Sequence, residues 1–128
     1  MSHEIYQPKS VHSTAGVGYS HAARFGDMIY LAGQVALNRE GRLVGVGDIE
    51  AQTMQVYSNM EAILGELGGL FENILKMTTY LVRREDLEGF RSARTRMFSD
   101  PFPPNTLLFV SGLAHPDFLI EIECIAHL

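Results

Sequence analysis

The chain has 128 residues, 46% hydrophobic and 20% charged, which is the size and balance of one folded domain rather than two. No apolar run approaches the roughly 20 residues that cross a bilayer. Met1-Ser2-His3-Glu4 shows no basic-then-apolar leader, so the sequence predicts a cytoplasmic protein with no membrane partner. The net charge of −5 argues against a nucleic-acid partner, and a lone cysteine, Cys124, leaves no internal disulfide to form.

In chain order, residues up to about Gly18 are rich in Ser, Gly and His and read as an extended leading segment. Ser20–Phe25 and Met28–Val35 read as two strands joined at Gly26-Asp27, a tight-turn pair. Asn38–Gly47 carries three glycines and reads as a loop, after which Asp48 is placed to cap a helix with its side-chain oxygen. Val56, Met60, Ile63, Leu64 and Leu67 fall on one helical face, and Gly68-Gly69 stops that helix. Ile74–Val82 is β-branched and aromatic, hence a strand; Leu87–Phe98 is a second, more basic helix ended by Asp100-Pro101. Thr106–Val110 and Phe118–Ala126 complete the strands, with the turn at Ala114-His115-Pro116-Asp117.

No repeat, low-complexity tract or linker interrupts this ββαβαββ order, so residues 1–128 read as a single domain. Two helices suffice to cover one face of the sheet. Yet Ile29-Tyr30-Leu31-Ala32 and Leu107-Leu108-Phe109-Val110 are apolar on both faces, as in strands buried on both sides. Self-association about a closed symmetry axis is the predicted cover for the second face.

The most informative stretch is Leu119-Ile120-Glu121-Ile122-Glu123-Cys124-Ile125-Ala126. Strand alternation puts Ile120, Ile122 and Cys124 on one face and Glu121 and Glu123 on the other. Two adjacent carboxylates covered by a partner would have raised pKa values and could handle protons. The alternative is an outer strand with a solvated acidic face. The five histidines show no metal-ligand spacing, and no metal is expected.

Over nearly its full length the chain resembles the RidA/YjgF family of small enamine/imine deaminases. The matching segments are Gly18-Tyr19, Ile29-Tyr30-Leu31-Ala32-Gly33-Gln34, the helix from Gln52 through Asn59-Met60 to Gly68, and Ile120 to Ala126. The resemblance implies an α+β, chorismate-mutase-like fold: a mixed six-stranded sheet with two helices on one face. It also implies a homotrimer with a barrel-like core and small-molecule clefts between subunits. Active members of the family hydrolyse 2-aminoacrylate-type enamines or imines to 2-keto acids and ammonia, with no cofactor. An arginine clamps the substrate carboxylate there, and a glutamate positions or activates water.

Carried over by resemblance, Glu121 takes the place of the water-activating glutamate, Tyr19 that of a cleft tyrosine, and Gly33 lies in the segment whose backbone approaches ligand. Where active deaminases read Pro-Ala-Arg-Ser, this chain has Pro103-Pro104-Asn105-Thr106. Asn105 thus replaces the arginine, a change that weakens binding of an acid by about tenfold to a hundredfold. Asn105 and Thr106 are read either as contacts to a less acidic ligand or as the turn that opens the strand. Arg94 is a candidate substitute cation, the alternative being a solvated helix face shared with Arg91 and Glu88. Tyr19 also reads as an interface aromatic, Gly33 as a packing glycine, and Gln34 as a partner of ligand or of a neighbouring subunit. Cys124 reads as a small hydrophobe. The functions these residues support are an imine/enamine deaminase, a metabolite-binding trimer without turnover, and, against the acidic balance, a ribonuclease or translation inhibitor.

Overall fold

The structure is a computed structural model and describes residues 2–128. Eight regular elements follow in order: β1 (Glu4–Tyr6), β2 (Ala22–Phe25), β3 (Met28–Gln34), α1 (Ile49–Glu66), β4 (Ile74–Leu81), α2 (Leu87–Met97), β5 (Asn105–Phe109) and β6 (Ile120–His127). The strands form one six-stranded sheet in the order β1-β2-β3-β6-β4-β5. Every pairing is antiparallel except that of β4 with β5, which α2 connects as a crossover. The fold is therefore α+β with a mixed sheet, as expected. The sixth strand, β1, lies within the segment read from the residues as merely extended; only three residues long, it is held by pairing Glu4–Tyr6 with Ala22–Arg24.

Local chemistry sets the helix ends. Asp48 accepts a hydrogen bond from the Ala51 N–H at 3.1 Å, satisfying one free donor of the first turn of α1. At the other end Gly68 adopts φ 87°, a left-handed conformation that glycine reaches without strain, and the Gly69 N–H returns to the Leu64 carbonyl. Between them Val56, Tyr57, Met60, Ile63 and Leu64 are fully buried against the sheet.

Both helices lie on one face. There Ile29 and Leu31 of β3, Met77, Thr79 and Leu81 of β4, and Ile120, Ile122, Cys124 and Ala126 of β6 are buried. A bulge in β4 at Leu75 lets Ile74 and Met77, three positions apart, both face the core, and it turns Lys76 to the opposite side. That opposite face is open in the single chain. Tyr30 and Leu108 are 49% and 46% exposed on it, and Glu121, Glu123, Thr78 and Tyr80 share it.

Candidate functional site

The two acidic residues of β6 alternate as the sequence predicts, but their surroundings differ. Glu123 is exposed and accepts a 2.9 Å hydrogen bond from the Tyr80 hydroxyl. Glu121 is half-buried. Burial pushes its carboxyl above the usual carboxylate range, with a further push from the Glu123 charge. Its side chain leans towards β3, where a bulge between Leu31 and Gln34 interrupts pairing with β6 and brings Gly33 beneath it. A Cβ on Gly33 would stand 2.8 Å from the Glu121 Cδ and 2.9 Å from its Cγ, and closer still to Oε2. The carboxylate thus occupies the space that any other residue would fill. Tyr19 borders the same spot: burial raises its hydroxyl pKa, and the Glu121 charge adds to the rise.

Buried polar contacts from α1 hold both strands that build this corner. The Asn59 amide donates to the carbonyls of Val35 and Leu37, just beyond Gly33. Gln52 donates to Gly45 and Asp117 carbonyls and accepts from the Leu119 N–H, two residues before Glu121. Gln34, open in the sequence reading to ligand or subunit contact, is instead fully buried: its Nε2 lies 3.1 Å from His21 Nδ1 and also bonds the Ala32 carbonyl. It stiffens the bulge from within.

Of the remaining sequence candidates, none joins this corner within one chain. Asn105 starts β5 on the helix-covered side, where its Oδ1 accepts from the buried Thr79 hydroxyl at 2.9 Å. Glu121 lies on the opposite side of the sheet. Thr106 does face the open side, and there it accepts a 2.6 Å hydrogen bond from Lys76. Arg94 is neither in solvent nor at the corner. Its guanidinium lies 5.4 Å from the Phe90 ring and 5.8 Å from that of Phe102, a stacking that half-buries it on α2. Lys76 is the cation that the sequence reading passed over; its signal was a lone charge inside the apolar run Ile74-Leu75-Lys76-Met77.

Burial pushes the Cys124 thiol up to about 12, so it packs as a hydrophobe and is no nucleophile at neutral pH. Among the described residues no cluster of three His, Cys, Asp or Glu could hold a metal ion. The arrangement offers a proton-accepting carboxyl with a raised pKa beside a phenol, on an open sheet face that one chain leaves unroofed.

The sequence profile of the endoribonuclease L-PSP family matches residues 10–128. A RutC family protein of Pyrococcus abyssi is 35% identical over 109 residues, 85% of each chain. A 2-iminobutanoate/2-iminopropanoate deaminase of Dermatophagoides farinae is 26% identical over 107 residues, covering 84% of this chain and 83% of that one. Among solved structures, YyfA of Yersinia pestis, described as a Rid family protein of unknown function, superposes with a TM-score of 0.92 at 31% identity over 99% of this chain and 100% of its own. RidA of the Antarctic bacterium Psychrobacter sp. PAMC 21119 gives 0.89 at 25% identity over 98% and 99%.

Proposed function

Because this chain belongs to the endoribonuclease L-PSP (RidA/YjgF) family, we propose that it hydrolyses small reactive imines and enamines to a carbonyl compound and ammonia. The observation that carries the reading is the Glu121 carboxyl, half-buried, raised in pKa and seated on the Cβ-less Gly33. The deaminase named among the relatives supplies the substrate class, 2-imino acids. In the reaction water adds to the C=N carbon and the Glu121 carboxylate takes its proton. The carboxyl returns that proton to the nitrogen, giving the carbinolamine, and then relays the hydroxyl proton to the amino group as the C=O forms and ammonia leaves. An enamine first becomes the imine by accepting a proton at carbon from the carboxyl, whose raised pKa suits it to donate, and giving one up from nitrogen to the carboxylate that results. Each of these transfers suits a group that titrates above the ordinary carboxylate range. Tyr19 borders the reacting centre, and neither metal nor organic cofactor enters the balance.

The site is completed between copies in this reading. Thr106 lies two strands from β6 and two residues along from the level of Glu121, a separation of about 12 Å from strand spacings. A three-carbon acid cannot touch both in one chain. The exposed Tyr30 and Leu108 on the same face are suited to burial by further copies, and a homotrimer in the cytoplasm is the proposed working form.

The test is release of 2-keto acid and ammonia from freshly generated 2-aminoacrylate. Wild-type protein is expected to accelerate it, and Glu121→Gln to lower the rate by about a hundredfold or more. Equal rates with and without protein would refute the activity. One observation favours a second reading, a metabolite-binding trimer without turnover: Asn105 is turned to the core and bonded to Thr79, so position 105 supplies no anion clamp. Calorimetric binding of a keto acid with no turnover of its imine would establish that alternative.

A further inference from the structure

We propose that Lys76 and Thr106 together hold the carboxylate of the substrate, so that the acid anchor of this protein comes from β4 and not from position 105. This deepens the deaminase reading and rests on it. The β4 bulge at Leu75 is what delivers Lys76 to the open face, beside the first residues of β5. Its ammonium donates to the Met77 carbonyl at 3.0 Å and to the Thr106 hydroxyl oxygen at 2.6 Å. One ammonium N–H is then left over, and the Thr106 hydroxyl, having accepted, keeps its own proton to donate. The two free donors sit on neighbouring atoms, a spacing that suits the two oxygens of one carboxylate.

No carboxylate of the chain claims this cation. The ion pairs among the described residues join Arg24 to Asp27, Arg83 to Asp86 and Arg96 to Glu50. On the open face the acid nearest in register is Glu123, which shares a row with Thr78 and Thr106. It stands one strand from the Lys76 backbone but about 10 Å, two strand spacings, from the Thr106 row towards which the ammonium reaches, and is already bonded by Tyr80. Lys76 is half-buried and its head is held in place by two acceptors, so little side-chain freedom is lost when an acid arrives. The ligand class that follows is a small 2-keto or 2-imino acid bearing a free carboxylate.

The experiment is titration calorimetry of the assembled protein with pyruvate and with pyruvamide, its uncharged counterpart. Lys76→Met is expected to weaken pyruvate binding by about tenfold to a hundredfold, Lys76→Arg to retain most of it, and Thr106→Val to cost several-fold. Asn105→Ala is expected to bind pyruvate as wild type does, and pyruvamide affinity to be the same in every variant. Thermal unfolding and sedimentation of each variant separate a lost anchor from a lost fold. Undiminished pyruvate binding by a folded Lys76→Met protein, or no binding of millimolar pyruvate by wild type, overturns the proposal. The two readings fail separately. Lys76-dependent pyruvate binding without turnover of 2-aminoacrylate keeps the anchor and removes the deaminase. Turnover with an unchanged KM in Lys76→Met does the reverse.

Discussion

Gly33→Ala is the sharpest perturbation of the proposed site, because it adds one methyl group against the Glu121 carboxylate and little else. The backbone of Gly33 lies outside the left-handed region, so alanine is conformationally tolerated and by itself stabilises a strand by about 0.5–1 kcal/mol. The new Cβ would stand 2.8 and 2.9 Å from Cδ and Cγ of Glu121, well inside van der Waals contact. The glutamate must therefore leave its rotamer, at a cost of about 1–3 kcal/mol for overpacking. These terms nearly offset, and net destabilisation should stay near 1 kcal/mol, a drop in Tm of a few degrees. Catalysis is far less forgiving: clearing the methyl moves the carboxylate by about 1 Å, a misplacement that costs on the order of a hundredfold in rate. The assay is keto-acid release by Gly33→Ala, Glu121→Gln and the double variant, with unfolding curves for each. If the methyl acts only through Glu121, it costs no further activity in the Glu121→Gln background. A Gly33→Ala protein with wild-type kcat/KM, or a second full loss on top of Glu121→Gln, would refute the arrangement.

Other consequences follow from the same contacts. A carboxyl whose pKa is higher folded than unfolded binds its proton more tightly in the native state, so its contribution to stability is fully present below the unfolded carboxylate value and is lost as pH climbs through the folded one. Glu121→Gln should remove that fall and leave the protein more stable than wild type at pH 7 while inactive, and denaturant midpoints at pH 4 and pH 7 report it. The ascending acid limb of the rate profile should have its midpoint above the usual carboxylate range, and equal pH dependence of stability in both proteins would contradict the burial of this group. Asn59→Ala leaves the Val35 and Leu37 carbonyls without their amide donor and should cost about 2–4 kcal/mol, read by chemical denaturation. A loss under 0.5 kcal/mol would mean that α1 does not hold the end of β3 in this way.

Much of this architecture is legible in the chain itself, and what escapes is long-range. The spacing of Val56, Met60, Ile63 and Leu64, with Asp48 before and Gly68 after, encodes α1 because caps and periodicity are local. The alternation along Ile120–Ala126 encodes which side of β6 faces the helices. A three-residue strand such as β1 carries no pattern of its own and exists only because Ala22–Arg24 offers it an edge. The family resemblance marked Gly33 as a place where ligand approaches the backbone; that Glu121, far along the chain, comes against it depends on a bulge that pattern reading does not reveal. The bulge at Leu75 likewise broke the period by which Lys76 could have been assigned a face. Neither reading of Arg94, a substitute cation at the cleft or a solvated helix face, anticipates its place beside Phe102, because that ring comes from a loop beyond the helix.

The proposed separation of the proton-handling group from the acid anchor leads to a test that depends on assembly alone. One chain puts Glu121 and the Lys76–Thr106 pair about 12 Å apart by strand spacing, with the glutamate leaning away towards β3. In the proposed site, two copies then supply the two halves. Glu121→Gln subunits retain the anchor, and Lys76→Met subunits retain the carboxylate. Unfolded together in equal amounts and refolded, they should form mixed assemblies in which about a quarter of the sites unite an intact Lys76 with an intact Glu121 from the neighbour. With substrate well below KM, turnover of 2-aminoacrylate should recover to about a quarter of the wild-type rate from parents that each retain about a tenth or less. If both groups of a site came from the same chain, every site in the mixture would carry one lesion and no activity could return. Failure of the mixed protein to exceed its parents, with mixed assemblies verified by native mass spectrometry, would place the whole site within a single subunit and remove the reason for a shared cleft.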